Sequence, residues 1–139
     1  MSIETALFDF LSNQTEVQAL LGEAAKTRFW PLVVPERAAL PGCVYRFDST
    51  QRGRTYCATD RVVRTRVQLD SYSKSYLQTV QLASVLRLVL IDFRGMMGSA
   101  PNAVKVKDVA IDPNSDRDLE DPEPGLYRRW QDYTIWHVE

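Results

Sequence analysis

One histidine and two cysteines leave this chain short of the side chains on which most protein chemistry relies. His137 is third from the end, far in sequence from Cys43 and Cys57, so no recurring metal-ligand spacing exists. Cys43 lies in an apolar run and reads as a small core residue. Cys57 has Arg54 and Arg61 nearby, which favour a thiolate. Its one candidate base, His137, would have to arrive from the far terminus, so a cysteine nucleophile is disfavoured. His137 itself reads as a half-exposed strand residue. Reduced thiols, and no structural disulfide, are the expectation. Glycine is also scarce, six in all. No Gly-x-Ser-x-Gly elbow is present. Gly95-Met96-Met97-Gly98 follows a helical stretch instead of opening one, so it reads as a helix cap and not as a phosphate loop. No run approaches the ~18 apolar residues of a membrane span. The start, Met1-Ser-Ile-Glu-Thr, has no basic region leading into an apolar run, so no secretory leader is expected. These absences disfavour an enzyme and give no reason to expect a cofactor or a metal.

What remains is an ordinary globular composition, 45% apolar and 25% charged, over 139 residues. That length fits one domain, 1–139, able to bury roughly two-thirds of its unfolded surface. Net charge is −1, which does not suggest a nucleic-acid protein. The charge is uneven, however. Asp112, Asp116, Asp118, Glu120, Asp121 and Glu123 stand against Arg117 alone, which leaves the rest of the chain four charges positive. The alternation of Asp116, Asp118 and Glu120 suits an oxygen-ligated cation, but the glycine and closing glutamate of a calcium loop are missing, so a solvated loop is the better reading. The basic counterpart is Arg52, Arg54, Arg64 and Arg66, with Tyr45 and Tyr56 close by. Three uses fit these charges: two separate solvated surfaces, an acidic loop docking on a basic hairpin of the next copy in a head-to-tail ring, or a nucleic-acid stripe.

Apolar spacing sets the elements. Ser2 caps a first helix with Ile3, Leu7, Phe10 and Leu11 inward, and Thr15 caps a short second helix over 16–21 that Gly22 ends. Strands are predicted over 28–30, 42–48, 61–72 and 104–111, and through the final aromatic segment. The stretch 49–59 reads as a long hairpin loop and 94–102 as a small-residue loop. In 61–72, Val63, Thr65, Val67 and Leu69 line one face, opposite Arg64, Arg66, Gln68 and Asp70. In 104–111, Val104 and Val106 oppose Lys105, Lys107 and Val109. Between these strands, Ser73 is predicted to cap a long helix over 74–93. Its first half buries Leu77, Val80 and Ser84, and its second half, 85–91, is apolar nearly all round. The class is α+β: a mixed, mostly antiparallel sheet of about four to five strands, one long helix packed on it, and short N-terminal helices.

The last strand is the sharpest signal. Tyr127, Trp130, Tyr133 and Trp136 recur every third residue, so the period-two pleat sends Tyr127 and Tyr133 to one face and Trp130 and Trp136 to the other. A surface strand needs large apolar groups on one face only. With the all-round apolar helix, this predicts surface that one copy leaves uncovered.

Three segments resemble, in order, the tail-completion (tail-terminator) proteins of long-tailed bacteriophages. They are the proline-punctuated run Phe29 to Tyr45, the strand Arg66-Val-Gln-Leu-Asp-Ser-Tyr72 leading into a long helix that ends in Asp92-Phe-Arg-Gly95, and the stretch Asp118 to Trp136 with its acidic loop, Gly-Leu-Tyr-Arg-Arg turn and aromatic strand. The resemblance covers nearly the whole chain. It departs at Gly42, where an apolar or aromatic residue is common, and in the length of the 114–121 loop. It implies a structural protein of the virion, present in the host cytoplasm during assembly. Such proteins form a ring, commonly a hexamer, at the head-proximal end of the tail tube. The ring stops tube polymerisation and meets the head connector or neck proteins, and nucleic acid comes near only through the DNA channel. On this view the interface draws on Arg52, Arg54, Tyr56, Arg64, Arg66, Asp118, Glu120, Asp121, Arg128 and Trp136. A different neck or head-closure component, or less favourably a small nucleic-acid-binding module, are the alternatives.

Overall fold

A computed structural model describes residues 2–21, 28–32, 34, 40–52, 62–101, 103–119 and 126–138. Helix α1 spans Ile3–Ser12 and α2 Thr15–Leu21. The Ser2 hydroxyl accepts from the Thr5 amide at 3.2 Å, the N-cap bond that its sequence position predicts. The predicted Gly22 cap falls outside the described residues. Strands β1 (Phe29–Pro31), β2 (Gly42–Arg52) and β3 (Val62–Ser73) follow, then α3 (Tyr76–Leu90). Ser75, not Ser73, is the N-cap residue of α3, because β3 runs on through Ser73. The Ser73 hydroxyl instead accepts from the Ser75 amide at 3.1 Å, which shapes the turn between strand and helix. The helix stops at Leu90, where Asp92 takes a left-handed φ of 58°. The glycines at 95 and 98 therefore do not cap it. Gly95 opens β4 (Gly95–Met97) within the stretch read as loop, and Gly98 brings the backbone against Ala6 of α1. Strands β5 (Val104–Ile111), β6 (Arg117–Leu119) and β7 (Tyr127–Val138) complete the chain.

These strands form one seven-stranded sheet in the order β1-β2-β3-β7-β5-β4, with β6 also on β7. Among the described strands only β1 and β2 pair in parallel. The fold is therefore the expected α+β class, with a mixed, mostly antiparallel sheet. Its two extra strands, β4 and β6, are three residues each, too short to show a period. β2 extends to Arg52, so 49–52 is strand, not loop. β5 and β6 lie end to end along one edge of β7: β5 pairs with His137 to Tyr133, and β6 with Trp130 to Arg128. The start of the acidic stretch is thus a continuation of the sheet.

The three helices of the described residues pack on one face. There Leu7, Leu11, Val17, Val67, Leu69, Leu82, Leu86, Leu90, Tyr133 and Ile135 form the core. The strand alternation in β3 holds as predicted. In β5 a bulge between Val106 and Asp108 shifts the pleat, so Val109 is buried with Val104 and Val106 instead of opposing them. α3 is also rotated from its predicted phase. Thr79, Leu82, Ala83, Leu86 and Leu90 face the sheet, while Leu77 and Ser84 face out. The opposite sheet face carries no helix among the described residues. A satellite cluster of Trp30, Val44 and Tyr72 covers one end of it. There the Trp30 ring fills the space above Gly42, where an added Cβ would meet it at 2.2 Å. Trp30 thus occupies the space that a side chain at position 42 would take.

Candidate assembly interface

Register fixes the open sheet face row by row. At one end Arg64 of β3, Trp136 of β7 and Asp108 of β5 stand abreast. At the other end Asp70, Trp130 and Arg117 do the same. Both tryptophans are partly buried and belong to neither apolar cluster. Arg117 lies over the Trp130 ring, 4.8 Å from its centroid, a cation–π contact. Between the two rows, Arg66 sits 3.3 Å from Asp132 and 3.9 Å from Asp112. Asp132 also accepts from the Trp130 indole at 3.1 Å. Its carboxyl pKa is raised: burial is the main cause, and Asp48 and Asp112 add repulsion that Trp130 and Arg66 only partly offset. Arg128 pairs with buried Asp70 at 2.7 Å and lies 5.7 Å from the Tyr72 ring centroid. Arg64 donates to the Gln51 side chain.

Of the residues singled out in the sequence, Arg64, Arg66, Arg128 and Trp136 therefore share the open sheet face. Asp118 does not. It lies on the helix side, where it accepts from the Tyr76 hydroxyl of α3 at 2.8 Å and sits 3.4 Å from Arg129. Arg54, Tyr56, Glu120 and Asp121, with Cys57, lie outside the described residues, and only the backbone of Arg52 is described, paired with Val63.

Asp116, which the sequence offered only as one of three alternating acids in a solvated loop, anchors the start of the acidic segment. Its φ of 67° is left-handed, a conformation that aspartate tolerates better than most residues. It accepts from Arg129 at 3.1 Å and from Gln131 at 3.0 Å. Gln131, fully buried, also donates to the Ala83 carbonyl of α3 at 3.0 Å and accepts from the Tyr133 hydroxyl at 3.1 Å. The described part of the segment read as a solvated loop, up to Leu119, is thus latched to β7 and, through Gln131, to α3. His137 is buried as well, against Thr65 at 2.8 Å, because its parity in β7 matches that of Tyr133 and not that of the tryptophans. Cys43 is fully buried, and burial pushes its thiol pKa far up, the opposite of what a nucleophile needs.

The helix side presents apolar surface. Leu77 is 65% exposed and Leu88 is 74% exposed. Eleven residues turn a helix through three revolutions and about 20°, so both leucines lie on one outward line of α3. Arg87 is the single charge on α3 and is exposed.

The described residues thus form a two-layer α+β domain with an apolar line on its helix side and a charged, tryptophan-bearing sheet side. The family follows from comparison. Residues 5–138 match the model of the tail completion protein gp17 family, and the chain belongs to that family. No curated protein matches it. A chain of the virion of a native gene transfer agent (GTA) particle shares 13% identity with it, over 99% of this chain and 96% of that one, at a TM-score of 0.56. At that identity the likeness establishes the fold alone. Membership in the family gives the chain a structural tail-completion role in a phage-type virion, and it weighs against catalysis.

Proposed function

We propose that copies of this chain join in a ring, most simply a hexamer, at the head-proximal end of the tail tube. There the ring stops tube polymerisation and offers the surface to which head connector or neck proteins join. The observation that carries this reading is the pair of broad faces, one on each side of the two-layer domain, that no described element covers. A ring of more than two subunits needs two different patches per subunit, since a self-complementary patch closes at two. The residues singled out in the sequence divide between these faces, Asp118 on one and Arg64, Arg66, Arg128 and Trp136 on the other. Arg66 and Arg128 already pair with carboxylates of their own chain, so they offer little to a nucleic acid. DNA would pass the ring without being gripped by it. The protein would await assembly in the host cytoplasm.

Electron micrographs of particles made without this protein test the reading. Overlong tails or tails unjoined to heads are the expected result. Leaking heads with normal tails would refute it and point to a head-closure component instead.

A further inference from the structure

Resting on that reading, we infer that the ring contact sets the outer line of α3 of one copy on the open sheet face of the next. Leu88 lies toward Trp136 and Leu77 toward Trp130. Three observations agree. The first is length: Leu77 and Leu88 are about 16 Å apart along a helix at 1.5 Å per residue, and Trp130 and Trp136 are about 20 Å apart along a strand at 3.3 Å per residue. The second is apolar content. Each surface carries two large apolar side chains that its own core leaves out. The third is charge, which also sets the direction. Arg87, beside Leu88, then meets Asp108, which stands abreast of Trp136. Asp118, hydrogen-bonded to Tyr76 beside Leu77, meets Arg117, which covers Trp130. The reverse orientation carries the charged side of the helix to the β3 flank, where Arg87 would meet Asp70, which is buried and already paired with Arg128, and Asp118 would meet Arg64, already bonded to Gln51. Asp108 is open to such a partner, since its own pairing with Arg94 is long, 3.8 Å, and largely exposed.

The test uses the full chain, with light scattering over a concentration series, alone and with purified tail tubes. Arg87→Glu and Asp108→Arg should each raise the concentration for half-assembly by about tenfold or more, as like charges meet. An equimolar mixture of the two variants should restore assembly, because alternating copies pair every reversed site with its complement. Leu88→Asp should abolish assembly while leaving the melting curve unchanged, since Leu88 is exposed. In a Cys57→Ser background, Leu88→Cys with Asp108→Cys should oxidise to covalent chains longer than two, and Leu88→Cys alone should stay monomeric. If wild type assembles and these variants assemble equally well, or if Leu88→Cys alone yields dimers, the helix-on-sheet contact is wrong and the ring reading stands. If wild type assembles neither alone nor on tubes, both fall.

Discussion

Replacing Asp116 measures directly whether the acidic segment is strand or loop. The carboxylate accepts two hydrogen bonds, from Arg129 and from buried Gln131. Bonds to a charged group contribute about 1.5–3 kcal/mol each where they are buried. The side chains of Arg129 and Asp116 are 23% and 30% exposed, which screens part of this. Both donors also keep another partner: Arg129 keeps Asp118 at 3.4 Å, and Gln131 keeps the Ala83 carbonyl. Asp116→Ala should therefore cost roughly 2–4 kcal/mol. Asp116→Gly loses the same acceptor but relieves the left-handed φ, which costs an alanine about 1–2 kcal/mol, so it should fall below alanine. Asp116→Asn keeps an acceptor oxygen and tolerates the φ, and should cost only about 1 kcal/mol. The assay is urea unfolding followed by tryptophan fluorescence, with equal m-values as the check on two-state behaviour. The expected order of cost is alanine, then glycine, then asparagine. An alanine variant within about 0.5 kcal/mol of wild type, the range of ordinary surface changes, would mean the segment is solvated and the latch does not hold.

Further measurements probe other parts of the structure. Tyr133→Ala removes a fully buried ring and should cost about 3–5 kcal/mol, whereas Trp136→Ala opens no cavity and should cost roughly half as much, by the same denaturation assay; equal costs would mean that something covers the open face of a single copy. Asp132 binds its proton more tightly when folded than when unfolded. Its contribution to stability is therefore complete below the unfolded carboxyl pKa of about 3.9 and is lost as pH rises through the folded value. Asp132→Asn should abolish that decline and leave neutral-pH stability equal or higher, and a variant that loses stability at neutral pH while keeping the slope would contradict this. Gly42→Ala should displace the Trp30 ring, cost about 1–3 kcal/mol by overpacking, and shift tryptophan emission to the red; an unchanged spectrum and stability would mean the ring has free room.

Local pattern carried most of the elements. Ser2 and Thr5 placed the first cap, and the alternation from Val63 to Leu69 placed β3 and its buried face, because both depend on neighbours within a turn or a pleat. The two faces of the aromatic strand were legible for the same reason, and they underlie the proposed contact between copies. The segment resemblance named the family that the wider comparison then matched.

Other features needed the folded partners. The phase of α3 was not written in 85–91, since a segment apolar nearly all round has no polar side to point outward, and only packing on β3 and β7 chose Leu82, Leu86 and Leu90 over Leu77 and Leu88. The bulge after Val106 reversed the pleat that counting from Val104 would give. His137 read as half-exposed until its parity in β7 set it beside Thr65. Asp116 read as one of three alternating acids in a solvated loop until β6 paired with β7 and brought Arg129 and Gln131 to it. Sequence by itself determined which residues are apolar, roughly where the longer helices and strands lie, and what family they resemble. Tertiary structure alone decided which apolar residues stay outside, because burial is a property of a surface and its cover, and that cover comes from residues distant along the chain.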